Sequence, residues 1–162
     1  MANVNKILVP TDLSESGARV LAEAQQFASA FSASIDVMYV WTPPALAAPE
    51  SVLTGVGVTE QPLLEYLRAS ASDMLSKFES DARSAGIPIH ESFCDLGDPA
   101  TAIVERAASG GYDLVVLGTH GRTGLSHVLL GSVAEKVMRR APCPVLTVRA
   151  PSVADSAAPA AE

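Results

Sequence analysis

The chain has little cysteine, no long apolar run and no surplus of positive charge, and each shortage removes a class of protein. Its two cysteines, Cys94 and Cys143, lie far apart in 162 residues, each in an apolar strand-like run, so both are expected to be buried free thiols rather than a disulfide framework. No stretch reaches 18 apolar residues, so nothing reads as a transmembrane span. Residues 1–6, Met-Ala-Asn-Val-Asn-Lys, lack an apolar run of signal-peptide length, which makes cytoplasmic residence the expectation. A net charge of −7 argues against binding to the phosphate backbone of a nucleic acid. What the chain does have is 48% hydrophobic residues, enough to bury a full core in one domain of this length. There is no internal repeat.

The hydrophobic pattern alternates between two periods. Lys6 to Asp12, Lys-Ile-Leu-Val-Pro-Thr-Asp, reads as an apolar run ending in the polar pair Thr11-Asp12, as suits a strand buried on both faces. Residues 15–31 carry Val20, Ala24, Phe27, Ala28 and Phe31 at helical spacing, with Ser14 as N-cap. Ser34 to Val40 reads as a second strand. Residues 62–85 form a long amphipathic helix through Leu63, Leu67, Ala71, Met74, Leu75, Phe78 and Ala82, opened by Pro62 and closed by Gly86. Ile87 to Cys94 reads as a third strand, with Pro88 at its start. Asp98-Pro99 caps a helix through Ala108 that turns Ile103, Val104 and Ala107 inward. Tyr112 to Gly118 is a fourth strand, 132–141 a fourth helix and Pro144 to Val148 a fifth strand. Such alternation implies a parallel sheet with right-handed crossovers and helices on both faces. Ligands of these sheets bind beyond the carboxyl ends of the strands, where the strand order reverses. If the first and fourth strands are neighbours, Thr11-Asp12 and Gly118-Thr119 flank one crevice.

Two segments interrupt the pattern. Residues 42–61 hold Pro43, Pro44, Pro49, Gly55 and Gly57 and read as a long loop or lid. Residues 150–162 are rich in Ala, Pro and Ser and read as a disordered tail. The domain is expected to span 1–149.

The most informative stretch runs from 118 to 133, Gly-Thr-His-Gly-Arg-Thr-Gly-Leu-Ser-His-Val-Leu-Leu-Gly-Ser-Val. It lies between the fourth strand and the fourth helix. Glycine permits close approach of a ligand to main-chain N–H groups, and a helix start offers unpaired donors and a partial positive charge. Together these make an anion site, best suited to phosphate. The chain has neither the Walker sequence with its lysine nor a Gly-x-Gly-x-x-Gly after the first strand, so neither a P-loop NTPase nor an ordinary dinucleotide fold is supported.

What remains is Gly-x2-Gly-x9-Gly-Ser, formed by Gly118, Gly121, Gly131 and Ser132. In this the chain resembles the ATP-binding subclass of the universal stress protein (UspA) family, whose motif is Gly-x2-Gly-x9-Gly-(Ser/Thr). The likeness runs from Lys6 to Arg149 and includes Val-Pro-Thr-Asp in the first strand and Ala-Pro-Cys-Pro-Val-Leu-Thr-Val near the end. The resemblance implies an open, doubly wound, five-stranded parallel sheet of order 3-2-1-4-5, Rossmann-like and similar to adenine nucleotide alpha hydrolases. It implies that Asp12 contacts a ribose, with Pro10 and Thr11 beside the adenine and Val40 touching it through backbone and side chain. Gly118, Thr119, Gly121 and Arg122 would line the ribose and phosphate path, and Gly131, Ser132 and Val133 would hold the phosphates. Mg²⁺ would arrive with the ATP phosphates, since no carboxylate cage is visible. It also implies a homodimer paired through the edge strand 144–148, where Val145, Leu146 and Val148 would otherwise leave an apolar edge open.

Plainer readings stand beside these. Ser132 and Glu135 fit Ser-x-x-Glu, a capping box. Asp12 could cap the first helix, and Arg122 could be a solvated loop charge. His120 and His127 match no zinc spacing and read as solvent-facing loop residues, and Gly124 as a turn residue. With no P-loop lysine and Asp12 as the one carboxylate expected on the crevice, the chain reads as a nucleotide-dependent sensor with slow or no hydrolysis. The alternatives are a weak ATPase or nucleotidyl-transfer enzyme of the related fold, and a phospho-receiver-like domain with Asp95 as acceptor. The first would want a Ser-Gly-Gly-x-Asp-Ser loop where Thr11-Asp12-Leu13-Ser14 stands. The second would want an acidic pair at Asp12 and a lysine where Arg149 stands.

Overall fold

The computed structural model describes residues 4–42, 63–119 and 130–149. Five strands alternate with four helices: β1 (Lys6–Thr11), α1 (Glu15–Phe31), β2 (Ser34–Trp41), α2 (Leu63–Ser84), β3 (Glu91–Leu96), α3 (Pro99–Ser109), β4 (Leu114–Gly118), α4 (Ser132–Arg140) and β5 (Val145–Val148). Every pairing is parallel and the sheet order is β3-β2-β1-β4-β5, the doubly wound arrangement expected. The chain winds outward from β1 to β3, crosses back to β4 beside β1, and winds outward again to β5. The order therefore reverses between β1 and β4.

Continuous apolar runs give the strands two buried faces. Ile7 and Val9 of β1 join Ile35 and Val37 of β2 beneath Val20, Leu21, Ala24 and Ala28 of α1 and Leu75 and Ala82 of α2. Leu8 and Met38 face the other way, with Val115 and Leu117 of β4, onto Ala100, Ile103 and Ala107 of α3 and Ala134 and Val137 of α4. Each large side chain so removed from water stabilises the fold by about 1.5–3 kcal/mol before entropy is counted. Among the described residues, no helix is long and apolar enough to cross a membrane.

Helix ends follow local chemistry. Ser14 caps α1, its Oγ accepting from Gly17 N at 3.1 Å. Asp98 caps α3, accepting from Thr101 N at 3.0 Å, with Pro99 in the first turn where no donor is missed. α2 stops before Gly86, whose φ of +82° lets Ile87 N reach back to Ala82 C=O at 3.0 Å. That contact corrects the expected start of the third strand. Ile87 serves the helix end, and β3 pairs only from Asp36↔Glu91 onward. β4 likewise begins two residues later than expected. Asp113 stays outside it and accepts from the backbone N–H groups of Asn5 (2.8 Å) and Lys6 (3.0 Å).

Three apolar positions expected inside are exposed: Phe27 (37%), Phe31 (45%) and Met74 (44%). The stripe of α1 that meets the sheet runs through Gly17, Val20, Leu21, Ala24 and Ala28. Phe27 lies on its flank, and Phe31 is the last residue of the helix. Cys94 and Cys143 are free, as expected, but half-buried rather than buried. Pro62, most of the 42–61 loop and the 150–162 tail lie outside the described residues.

Candidate functional site

The site arises where the sheet opens. β1 and β2 stay paired to Thr11↔Tyr39, and β4 and β5 to Gly118↔Val148. Between β1 and β4 the ladder ends at Leu8↔Val115, three residues short of either carboxyl end. Proline is the reason. Lys6 C=O accepts from Asp113 N at 2.9 Å, so the even-numbered residues of β1 turn their backbone groups toward β4. The next N–H that should face β4 after Leu8 belongs to position 10, and Pro10 has none. The two strands part there, and a cavity of about 440 Å³ occupies the gap. That is an ordinary size for a small-molecule site.

Nine of the eleven residues expected at a nucleotide site line this one cavity: Pro10, Thr11, Asp12, Val40, Gly118, Thr119, Gly131, Ser132 and Val133. Gly121 and Arg122 lie outside the described residues, as do His120, Gly124 and His127. The glycine pattern alone did not indicate the remaining walls. Gly17 and Ser16 of α1, Trp41 at the end of β2, and Pro99 and Ile103 of α3 also face the space. Among the described lining residues Asp12 is the one carboxylate, and none is Lys, Arg or His.

The turn after β1 fixes Asp12. Its Oδ1 accepts from both Ser14 N (3.1 Å) and Ser14 Oγ, while Thr11 Oγ1 accepts from Leu13 N at 3.0 Å. Between them Leu13 is held at φ 62°, a left-handed conformation that costs a branched residue about 1 kcal/mol or more. Ser14, not Asp12, is the side-chain cap of α1, so the plainer reading of Asp12 as that cap is corrected. Asp12 Oδ2 is buried and, among the described residues, has no hydrogen-bond partner. A buried carboxylate oxygen left unpaired is expensive, and its residue lines the cavity, where a small side-chain turn would let it accept from a ligand. Gly17 lets α1 pass this close: a Cβ there would overlap Thr11 Oγ1 and come within 3.0 Å of Asp12 Oδ1.

Opposite stands the start of α4. Its N-cap is Gly131, which has no side chain to donate to, so no side-chain cap bond forms. This corrects the capping-box reading: Ser132 is already helical, and Glu135 instead pairs with Arg139 at 3.0 Å. α1 and α3 satisfy a first-turn N–H with a side chain, whereas α4 has no such cap bond and its N-cap and first residues, Gly131 to Ala134, line the cavity. Gly131 N donates to Thr119 C=O at 2.7 Å, tying the helix start to the end of β4. The macrodipole, and first-turn N–H groups that no cap side chain engages, favour an anion at this point.

A second polar cluster, which the sequence did not suggest, lies toward the amino ends of the strands. Asp36 is fully buried in β2. Its Oδ1 is 3.0 Å from His90 Nδ1 and accepts from Glu91 N at 3.0 Å, while its Oδ2 accepts from Tyr112 Oη at 2.7 Å and pairs with Lys6 Nζ at 3.2 Å. Burial pushes the Asp36 carboxyl up, but hydrogen bonds from Tyr112, His90 and Lys6 outweigh it and hold the group below the usual range. Burial, followed by the hydrogen bond to Asp36 and then the Asp36 charge, raises Tyr112 well above an ordinary phenol. Asp36, His90 and Glu91 are close enough to suggest a metal, yet both Asp36 oxygens are already engaged and Lys6 supplies the positive charge. This cluster supports the fold.

Asp95 is held by Arg106 at 2.9 Å on β3, at the sheet edge with β2 between it and β1. It has no place beside Asp12, so the arrangement gives the phospho-receiver alternative no support.

The universal stress protein family matches residues 3–149. Universal stress protein MJ0531 of Methanocaldococcus jannaschii is 38% identical over 146 residues, covering 90% of this chain and 82% of that protein. Among solved structures, the universal stress protein UspA from Lactobacillus plantarum superposes with a TM-score of 0.72 at 27% identity, covering 92% of this chain and all of the other. A universal stress protein solved in complex with cAMP matches with a TM-score of 0.64 at 27% identity, covering 91% of this chain and 98% of that one.

Proposed function

The chain belongs to the universal stress protein family, and from that premise we propose that it binds ATP in the β1–β4 cavity and acts as a nucleotide-dependent sensor or regulator. One observation carries the reading. Asp12, whose buried Oδ2 has no hydrogen-bond partner among the described residues, and the start of α4, whose N-cap forms no side-chain bond, line a single cavity at the strand-order reversal. An acceptor suits the hydroxyls of a ribose, and free helix N–H groups suit phosphates. The family member solved with cAMP supports an adenine nucleotide as the ligand class.

In this reading Asp12 takes the ribose, while Pro10, Thr11 and Val40 flank the adenine. Gly118, Thr119, Gly121 and Arg122 line the path to the phosphates, which Gly131, Ser132 and Val133 hold with Mg²⁺ coordinated through the phosphates themselves. Turnover is slow or absent, because hydrolysis wants a base or water-orienting group beside the γ-phosphate and Asp12 is committed to the sugar. The functional unit is a single domain over 1–149, and two copies pair through β5.

ATP with Mg²⁺ at a hundredfold excess over its Kd is expected to raise the melting temperature by roughly 5–10 °C. Phosphate release is expected to stay far below the ~1 s⁻¹ of slow ordinary enzymes. An unchanged melting temperature in millimolar ATP would remove the binding proposal, and turnover near that rate would make the protein an enzyme instead.

A further inference from the structure

Trp41 is the chain's single tryptophan, and it closes β2 at the wall of the cavity. It is only 8% exposed, yet its indole Nε1 has no hydrogen-bond partner among the described residues. Its backbone is firmly placed. Trp41 pairs in register with Leu96, its C=O accepts from Gly97 N at 3.1 Å, and Thr42 Oγ1 donates to Gly97 C=O at 2.9 Å. Buried tryptophans normally find an acceptor for the indole N–H, and an unpaired one calls for an explanation.

Two residues of the cavity wall thus each hold a buried side-chain atom with no partner among the described residues, and the two atoms are of opposite kind: an acceptor, Asp12 Oδ2, and a donor, Trp41 Nε1. Sugar hydroxyls donate and match the first. Phosphate oxygens accept, but the donors at the start of α4 already serve them. The part of a nucleotide left for Trp41 is the base, whose ring nitrogens accept. We propose that Trp41 is the base-reading residue of this site, donating its Nε1–H to a ring nitrogen of a purine bound at the end of β2. The inference rests on the cavity being the ATP site. It adds a polar selection step to a wall that Val40 and Pro10 would otherwise line with apolar contact alone. A ligand with the sugar and phosphates but no base gains nothing from it.

The test uses the full chain and its Trp41→Phe variant, which keeps an aromatic ring and removes the donor. Each is titrated calorimetrically with ATP and with ribose 5-triphosphate. The variant is expected to bind ATP about 5–10-fold more weakly, as for loss of one hydrogen bond, and to bind ribose 5-triphosphate as the wild type does. Equal weakening of both ligands, or of neither, overturns the proposal. If the wild type binds ribose 5-triphosphate but gains nothing from the base, only the role of Trp41 falls; if it binds neither ligand, the ATP reading falls with it. A second measurement does not depend on the variant folding. One tryptophan gives one indole ¹⁵N–¹H resonance, which should shift downfield and exchange more slowly on saturation with ATP but stay in place with ribose 5-triphosphate. A resonance unmoved by bound ATP overturns the assignment.

Discussion

Asp12 uses one carboxylate oxygen in the fold and leaves the other over: Oδ1 holds the turn through Ser14, and Oδ2 has no partner among the described residues. The two roles separate in Asp12→Asn. The amide keeps one oxygen to accept from Ser14, so the unliganded melting temperature should change little. The NH₂ replaces an acceptor with a donor, and ATP affinity should fall at least tenfold. Calorimetry beside a thermal melt checks both halves, and normal ATP binding would move the ribose contact elsewhere. Asp12 was legible in the sequence because it follows an apolar run at a strand end. Gly17 was not, because its closeness to Thr11 and Asp12 exists only once α1 lies across β1. Asp36 was illegible for a similar reason. A lone acid in a strand reads as the polar half of an alternation, and only the sheet register brings Lys6, His90 and Tyr112 around it.

Among the elements, α4 most directly joins sequence to site. Gly131 sits at φ −70° and ψ 153°, an extended conformation that any residue accepts at an N-cap. Gly131→Asp should therefore hold or slightly raise the melting temperature, by up to a few tenths of a kcal/mol of capping. The same carboxylate would face the phosphates and should abolish ATP binding. Stability and binding moving apart in one variant would separate an anion site from a mere helix start; retained binding would place the phosphates elsewhere. The order of elements was readable because proline, glycine and hydroxyl residues punctuate it: Ser14, Asp98-Pro99 and Gly86 end or begin helices where expected. The start of β3 was not, because pairing with β2 decides it and the apolar Ile87 belongs to the end of α2. The cavity itself was half legible. The glycines marked one wall, whereas the missing N–H of Pro10 parts β1 from β4 only once their register is known.

Across the whole molecule, two consequences concern how the fold holds and what its edges do. Asp36 and Asp98 have carboxyl groups held below their ordinary range, as does Glu79, where the Arg83 hydrogen bond dominates over opposing burial. A lowered folded value means stability present above the unfolded value and lost as pH falls through the folded one. The melting temperature should therefore be flat near neutrality and drop below about pH 4. Tyr112→Phe should flatten part of that drop, since it removes one of the bonds that hold Asp36 ionised. The other consequence lies at β5. Val115 N donates to Pro144 C=O and Thr119 N to Val148 C=O, so the even-numbered residues there turn toward β4. Val145 and Thr147 then turn their backbone groups outward, along an edge only four residues long. A second copy related by a two-fold axis would answer those groups in kind and cover Leu146 and Val148. The wild type is expected to run at twice its 16.8 kDa in light scattering at micromolar concentration. Val148→Lys, which sets a charge on that edge, should leave a folded monomer. A wild-type monomer would refute the pairing, and a Val148→Lys variant that stayed dimeric would move the interface away from β5.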